Sequence, residues 1–148
     1  MPKDDVLDLE TFLPYRLNRL ADAISRDFAR IYRDRHGLTR PEWRALATLG
    51  QFGRMTATAI GEHSAMHKTK VSRAVAALEQ RKWLSREVDT EDRRVEHLTL
   101  TRAGVSAYRD MVPLMKAHEA RVLEAAGPGG RLSLADALAL LEAALRPR

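Results

Sequence analysis

The side chains best suited to a chemical task are concentrated in one short stretch, residues 66–82. This stretch holds five basic residues and one acidic residue, a net charge of +4, while the whole chain of 148 residues carries only +5. Lysine and arginine neutralise phosphates, and arginine also reads guanine through paired hydrogen bonds in a DNA major groove. The stretch therefore favours nucleic acid as a partner, although a basic run can also be no more than a solvated helix surface.

The spacing of apolar residues in this stretch predicts a helix over about residues 67–82. Val71, Val75 and Leu78 follow one another at i, i+4 and i+7, which places them on one buried side. A DNA-reading helix needs small, polar and basic side chains near its N-terminal half. The opposite side of this helix offers Lys68, Thr69, Lys70, Ser72 and Arg73.

Two short runs that follow, residues 83–88 and 95–101, predict a β-hairpin with a charged tip. Arg93 and Arg94 lie at this tip, and arginine is attracted to the negative potential of a narrow minor groove. Alternatively, one arginine pairs with Asp92 or Asp89 and stiffens the turn. We expect both, with Asp92 holding one guanidinium while the other faces DNA.

The remaining sequence predicts five further helices around these two elements. A long helix over about residues 9–35 ends at Gly37, and Thr39 caps a second. A third begins near Thr56, a fifth runs from Thr101 to about residue 125, and Ser133 caps the last. The fold class is therefore mainly α with a small β-hairpin wing, in the order ααααββαα, which is the arrangement of a winged helix-turn-helix with additional helices.

Several motifs in this arrangement resemble the MarR (multiple antibiotic resistance regulator) family. The similarity extends from about residue 10 to 146 and is most specific over residues 66–104. Its motifs are Gly37-Leu38-Thr39-x-x-Glu42-Trp43-Arg44-x-Leu46, Met66-x-Lys68-x-x-Val71-Ser72-Arg73, Leu78-Glu79, Asp89-x-x-Asp92-Arg93-Arg94 and Leu98-x-Leu100-Thr101-x-x-Gly104.

The resemblance implies a homodimeric bacterial transcription regulator that binds double-stranded DNA. It implies a helical dimerisation region over residues 8–36 and 101–148 and a DNA-binding lobe over residues 39–100. A small phenolic or aromatic acid often binds between these regions in the family, and the absence of cysteine excludes its cysteine-oxidation subtype. By position, the groove contacts would be Lys68, Thr69, Ser72 and Arg73, and the wing arginine would be Arg94.

Apolar stripes at the two ends of the chain independently favour a dimer. Each would expose a large apolar face in a monomer unless it packed within its own chain. A two-fold dimer would present two recognition helices about 34–36 Å apart, which matches a pseudo-palindromic operator. The dimerisation residues are predicted to be Leu13, Leu17, Leu134, Leu138, Leu141 and Leu145.

Arg16 and Trp43 are the candidate effector-binding residues. An arginine beside the apolar stripe of the first helix could hold a carboxylate through two hydrogen bonds, and the tryptophan could line the same cavity. A surface arginine and an ordinary core tryptophan are the alternative interpretations. No metal or cofactor is expected, because His63 and His67 have metal-ligand spacing but straddle a predicted turn.

Other classes of protein find less support in the sequence. There is no cysteine, no apolar run long enough to span a bilayer and no catalytic motif, so we expect a cytoplasmic regulator, most simply a repressor, rather than an enzyme. The remaining alternative is a helical protein–protein adaptor, which would lack salt-dependent binding to duplex DNA.

Overall fold

The computed structural model describes residues 1–147, and the side chains of all of these except residues 131 and 132. Within this range the predicted order of six helices and one hairpin is confirmed, preceded by a short 3-10 turn at Lys3–Asp5. The elements are α1 (Leu13–His36), α2 (Arg40–Phe52), α3 (Ala57–Ser64), α4 (Lys68–Gln80), β1 (Leu84–Val88), β2 (Glu96–Leu100), α5 (Arg102–Ala125) and α6 (Gly130–Ala144).

The chain forms two compact units, Met1–Met111 and a smaller one that begins at Val112. The boundary falls within α5, just before Pro113, which lacks the amide hydrogen that a helix interior uses. The larger unit contains the whole predicted winged helix-turn-helix. The functional division into dimerisation region and DNA-binding lobe stays a prediction.

Local signals predicted from the sequence set several helix ends. Gly37 ends α1 with a left-handed φ of 65°, and Thr39 and Glu42 form a reciprocal capping box at the start of α2. The hydroxyl of Thr56 accepts a hydrogen bond from the amide of Ala59 at 3.1 Å and caps α3. These positions were read correctly because caps depend on a few neighbouring residues.

The start of α1 was predicted too early. Residues 8–12 form a separate turn, in which Asp8 accepts hydrogen bonds from the amides of Glu10 and Thr11. The helix begins only at Leu13, with Pro14 in its first turn, because proline fits there without losing an intrahelical hydrogen bond.

The predicted cap at Ser133 was also wrong. Helix α6 begins at Gly130, and its N-cap is Gly129 with a left-handed φ of 80°. Glycine has no Cβ and adopts this conformation at little cost, so the chain enters the helix one turn earlier. The amide of Ser133 already donates to the carbonyl of Gly129 at 3.1 Å.

The core of the larger unit lies among α2, α3, α4 and the hairpin. The strands pair antiparallel with Leu84 opposite Leu100, and Met55 adds a bridge to Leu98 through two backbone hydrogen bonds of 3.0 and 2.7 Å. This bridge fastens the hairpin to the loop before α3. The largest fully buried side chains are Leu46, Leu49, Ile60, Leu78, Leu98, Met111, Val71 and Val75.

Helix α5 begins in close contact with the segment that leaves α4. Thr101 accepts a hydrogen bond from the amide of Gly104 at 3.2 Å and donates one to the carbonyl of Lys82 at 2.7 Å. A Cβ at Gly104 would lie 2.1 Å from the carbonyl oxygen of Trp83. Only glycine allows this approach, so the packing fixes where the hairpin departs.

Candidate nucleic-acid interface

Helix α4 has one side in the core and one side in solvent, as the sequence predicted. Val71, Val75 and Leu78 are at most 1% exposed and anchor the helix. The anchored side leaves every predicted contact residue on the outer surface. These exposed residues are Lys68, Thr69, Lys70, Ser72 and Arg73.

Within residues 1–147, the side chains of these five residues form no hydrogen bond or ion pair. The three cations, Lys68, Lys70 and Arg73, therefore have no carboxylate partner among the described side chains. The neighbouring positions Ser72 and Ala76 carry only a hydroxyl and a methyl group, so they leave room around these cations. Unpaired cations on an anchored helix can therefore approach a phosphate backbone or base edges without rearrangement.

A tight turn sets the angle at which α4 follows α3. Ala65 ends α3 in a left-handed conformation with φ 52°, and the amide of Met66 donates to the carbonyl of Gly61 at 3.0 Å. Met66 is buried and anchors the turn from within. The following residue, His67, is the N-cap of α4 and is exposed, so this end of the helix is open to solvent.

The basic residue Arg81 at the other end of α4 does not belong to this face. Its guanidinium donates to the carbonyl oxygens of His36 and Gly37 at 2.8 and 3.0 Å and lies 5.1 Å from the ring centroid of Trp83. The charge count of residues 66–82 therefore overstates the charge available to DNA. A basic residue at a helix C-terminus was the signal that could have separated Arg81 from the rest.

Asp89 organises the wing tip. One carboxylate oxygen accepts the amides of Glu91 and Asp92 at 3.1 and 2.9 Å, and the other lies 2.9 Å from Nε2 of His97. The contact with His97, followed by the two backbone hydrogen bonds, lowers the pKa of Asp89 to about 2. The tip is therefore a braced turn.

The two tip arginines have different surroundings. Asp92 binds the guanidinium of Arg94 through contacts of 3.1 and 3.2 Å, although that side chain is 91% exposed. Arg93 is exposed and has no partner within residues 1–147. The expectation that Asp92 holds one guanidinium is confirmed, and the one it holds is Arg94, the residue that the resemblance assigns to the groove. The contacts with DNA stay a prediction.

Arg86 joins the wing to α4 and was missed by the sequence reading. Its guanidinium contacts Glu79 of α4 at 2.9 Å and Glu96 of β2 at 3.0 Å. These carboxylates, Glu96 first, raise the pKa of Arg86. A basic residue in a strand gives no sign of its cross-element partners, which only the folded hairpin brings together.

Arg16 and Trp43, the predicted effector residues, lie apart within one chain. Arg16 is exposed near the start of α1, whereas Trp43 stacks on Tyr32 with ring centroids 5.7 Å apart. Residues 16 and 32 of a helix are separated by about 24 Å along its axis, at 1.5 Å per residue. The two residues therefore do not line one cavity within a protomer, and their role in effector binding stays a prediction.

The predicted dimerisation leucines are largely uncovered by their own chain. Leu13 and Leu17 are 49% and 38% exposed on α1, and among the predicted leucines near the C-terminus Leu141 is half-buried. Such exposure agrees with an interface, while the association itself stays a prediction. The other predicted leucines are exposed, namely Leu134 and Leu138 of α6 and Leu145 at its C-cap.

Residues 1–147 hold neither a metal-binding cluster nor a membrane-spanning helix. In that range no group of three or more histidine or acidic side chains is arranged to hold a metal ion, and His63 packs its ring on Phe52 instead. None of the helices described is long and apolar enough to cross a membrane.

Comparison with known proteins agrees with the geometry. Residues 38–95 match the model of the MarR family. Among solved structures, two MarR family transcriptional regulators from Silicibacter pomeroyi are similar. One is 29% identical, with 92% of this chain and 99% of that chain covered and a TM-score of 0.76. The other is 27% identical, with 95% and 94% covered and a TM-score of 0.75.

A third structure shares the fold at lower identity. BpsR of Bordetella bronchiseptica, described with a mechanism for regulation of its DNA binding by 6-hydroxynicotinic acid, is 21% identical. The match covers 93% of this chain and 97% of that chain, with a TM-score of 0.78. No curated protein matches the sequence.

Proposed function

We propose that this chain, whose residues 38–95 match the model of the MarR family of transcription regulators, is a homodimeric repressor that binds a pseudo-palindromic operator. The observation that carries the proposal is the exposed, unpaired cationic face at the N-terminal half of α4. Lys68 and Lys70 would neutralise phosphates, and Arg73 would read a base in the major groove. The wing would place Arg94, held by Asp92, and Arg93 toward the adjacent minor groove.

Dimerisation would follow from the apolar side chains of α1 and α6. Leucines exposed by 38% or more, such as Leu13, Leu17 and Leu138, gain free energy when a second copy covers them. A two-fold axis would then duplicate α4 at a spacing of about 34–36 Å, one turn of DNA. Leu17→Asp should shift the protein toward monomer and weaken operator binding at the same time.

We further propose that a small aromatic acid releases the repressor. The regulation of BpsR by 6-hydroxynicotinic acid supports this class of ligand. The ligand must bind the DNA-incompetent spacing of the two lobes more tightly than the competent one, because equal affinity shifts nothing. Arg16 and Trp43 of different protomers remain the proposed effector residues, tested by titrating aromatic carboxylates against the wild type and Arg16→Ala.

The test of DNA binding is fluorescence anisotropy with a duplex taken from the region flanking the protein's own coding sequence. We expect affinity to fall steeply between 50 and 200 mM salt, because bound phosphates release counterions as the complex forms. Lys70→Ala should lower the salt slope by about one unit for each protomer. Arg30→Ala, an exposed arginine of α1 paired with Asp27, is the matched control.

An adaptor without DNA binding is the competing interpretation. Salt-independent or absent binding, or equal affinities for Lys70→Ala, Arg30→Ala and wild type, would contradict the proposed function. A footprint on the same DNA, with and without aromatic acids, then locates the operator.

A further inference from the structure

A cleft with an arginine-rich rim lies in the larger unit, away from the face of α4. It is formed by α1, by the turn that follows it and by the first residues of α2, and it encloses about 440 Å³. That volume lies within the range of small-molecule sites, about 300–1,000 Å³. Its cationic lining residues are Arg26, Arg33 and Arg40, beside the ring of Tyr32.

The charges around this cleft are not balanced. Asp22 is the acid that contacts its arginines, and it binds Arg26 and, at 3.3 Å, Arg40. Arg33 is exposed and has no partner within residues 1–147. The cleft therefore keeps a positive excess that the described side chains do not neutralise.

A fourth arginine adds to this excess from α2. Arg44 is half-buried, and its side chain makes no ion pair within residues 1–147. Burial and then the charge of Arg40 lower the pKa of Arg44, because water shields a half-buried cation poorly. Arg33, Arg40 and Arg44 also surround the phenol of Tyr32, whose hydroxyl makes no hydrogen bond to the described residues.

The cleft is separate from the two surfaces assigned above. On a helical wheel of about 100° per residue, Arg26, Ala29 and Arg33 lie about 180° from the stripe that contains Leu13 and Leu17. The turn that lines the cleft contacts Arg81, which follows α4, whereas Lys68 begins that helix. Thirteen residues of helix, about 20 Å, separate the two ends.

We propose that this cleft is a binding site for a small dianion, a phosphate ester or a dicarboxylate. Arg33 and Arg40 form two sides of the site, with the hydroxyl of Tyr32 as a neutral donor and Arg44 strengthening the field. Guanidinium groups suit both kinds of anion because their parallel N–H groups match two oxygen atoms.

The site adjoins the contact that holds the recognition helix. Gly37 lines the cleft, and its carbonyl oxygen accepts a hydrogen bond from Arg81 at 3.0 Å. An anion that draws Arg33 or Arg40 into the cleft therefore acts on the turn at Gly37 that binds Arg81. The site itself does not depend on DNA binding, and only an effect on operator affinity rests on the proposed function.

The experiment titrates the 148-residue protein with glycerol 3-phosphate, a phosphate monoester, and, separately, with succinate, at constant ionic strength in sodium chloride. Tryptophan fluorescence reports binding, since Trp43 stacks on Tyr32 and Trp83 lies beneath Arg81. We expect a saturable change with at least one anion, and a dissociation constant raised at least tenfold in Arg33→Ala/Arg40→Gln. Arg33→Ala alone, which removes no internal contact, should show a smaller loss and guards against misfolding of the double variant.

Two controls locate the anion. Arg30→Ala on the same helix should bind like the wild type, and so should Lys70→Ala/Arg73→Ala on α4. The proposal fails if neither anion saturates the signal, if the double variant binds like the wild type, or if the α4 variant is the one that loses binding. The last outcome would mean that the anion occupies the DNA surface. If the α4 variant loses operator binding and still binds the anion, the DNA surface and the anion site are shown to be separate.

Discussion

The two ends of helix α4 carry the same type of side chain and use it in opposite ways. At the N-terminal end, Lys68, Lys70 and Arg73 are exposed and have no partner in the described part of the chain. At the C-terminal end, Arg81 donates to two carbonyl oxygens and lies over an indole ring. The difference shows that a cation acquires its role from what surrounds it.

The reason lies in the backbone that meets each end. The last carbonyl groups of α1 carry the partial negative charge of a helix C-terminus, and they attract the guanidinium of Arg81. The first turn of α4 has unpaired amide hydrogens and an N-cap, His67, whose side chain makes no cap hydrogen bond. The basic residue at the C-terminal end of α4 therefore finds its partners within the fold, whereas the N-terminal end is suited to an external anion.

The largest effect is expected where the segment that follows the C-terminal end of α4 contacts α5. Gly104→Ala should lower the free energy of unfolding by about 3 kcal/mol, because the new methyl group would meet the backbone of Trp83 and force a shift. Urea unfolding followed by circular dichroism measures the change. Ala103→Ser, on the exposed neighbouring residue, should stay within about 0.5 kcal/mol of the wild type. Equal stability of the two variants would mean that this contact does not hold the hairpin.

Removing the side chain of Arg81 should cost about 2 kcal/mol of unfolding free energy, because two hydrogen bonds from a charged donor are lost. Arg81→Lys should recover only part of this, since one ammonium group does not reproduce the guanidinium fork. Thermal unfolding at fixed protein concentration is the measurement. Operator affinity lost by Arg81→Ala with stability unchanged would instead place this arginine on DNA.

The opposite result is expected for Arg73. Arg73→Ala should weaken operator binding by about 1–3 kcal/mol and relax the preference at one base, with the unfolding free energy unchanged. Anisotropy with a set of single-base operator variants measures both effects. Equal weakening on every sequence would make Arg73 a phosphate contact, and a stability loss like that of Arg81→Ala would remove the contrast between the two ends.

The smallest expected effect concerns two aspartates, one in the wing and one beside the turn at His36 and Gly37 that binds Arg81, called the Arg81 turn below. The pKa of Asp89 in the wing and that of Asp110, which contacts Arg35 and His36 beside the Arg81 turn, are both lowered to about 2. A lowered pKa means that the stabilisation is complete above the ordinary value of 3.8 and is lost as the pH falls through about 2.

Carboxyl titration by NMR should give these low values in the wild type. Asp89→Asn should alter the amide signals of the wing tip while leaving the Arg81 turn unchanged, and Asp110→Asn should do the reverse. An ordinary pKa for either carboxyl group would show that its ion pair does not persist in solution.

The elements of this protein could be predicted because each depends on neighbouring residues. The apolar spacing gave α4 its buried side, and Thr39, Gly37 and Thr56 marked helix ends by their own chemistry. The errors came where two local solutions compete. Near Gly129 a flexible residue allowed an earlier helix start, and at Leu13 a polar turn preceded the helix.

The sequence by itself determined the order of elements, the buried stripe of α4 and the residue types at its open face. Tertiary structure alone decided that Arg81 turns to the end of α1, that Arg86 links two carboxylates, and that Arg26, Arg33 and Arg40 line one cleft. The physical reason is distance along the chain. Periodicity and capping act over a few residues, whereas the electrostatic partners of these arginines come from segments up to 45 residues away.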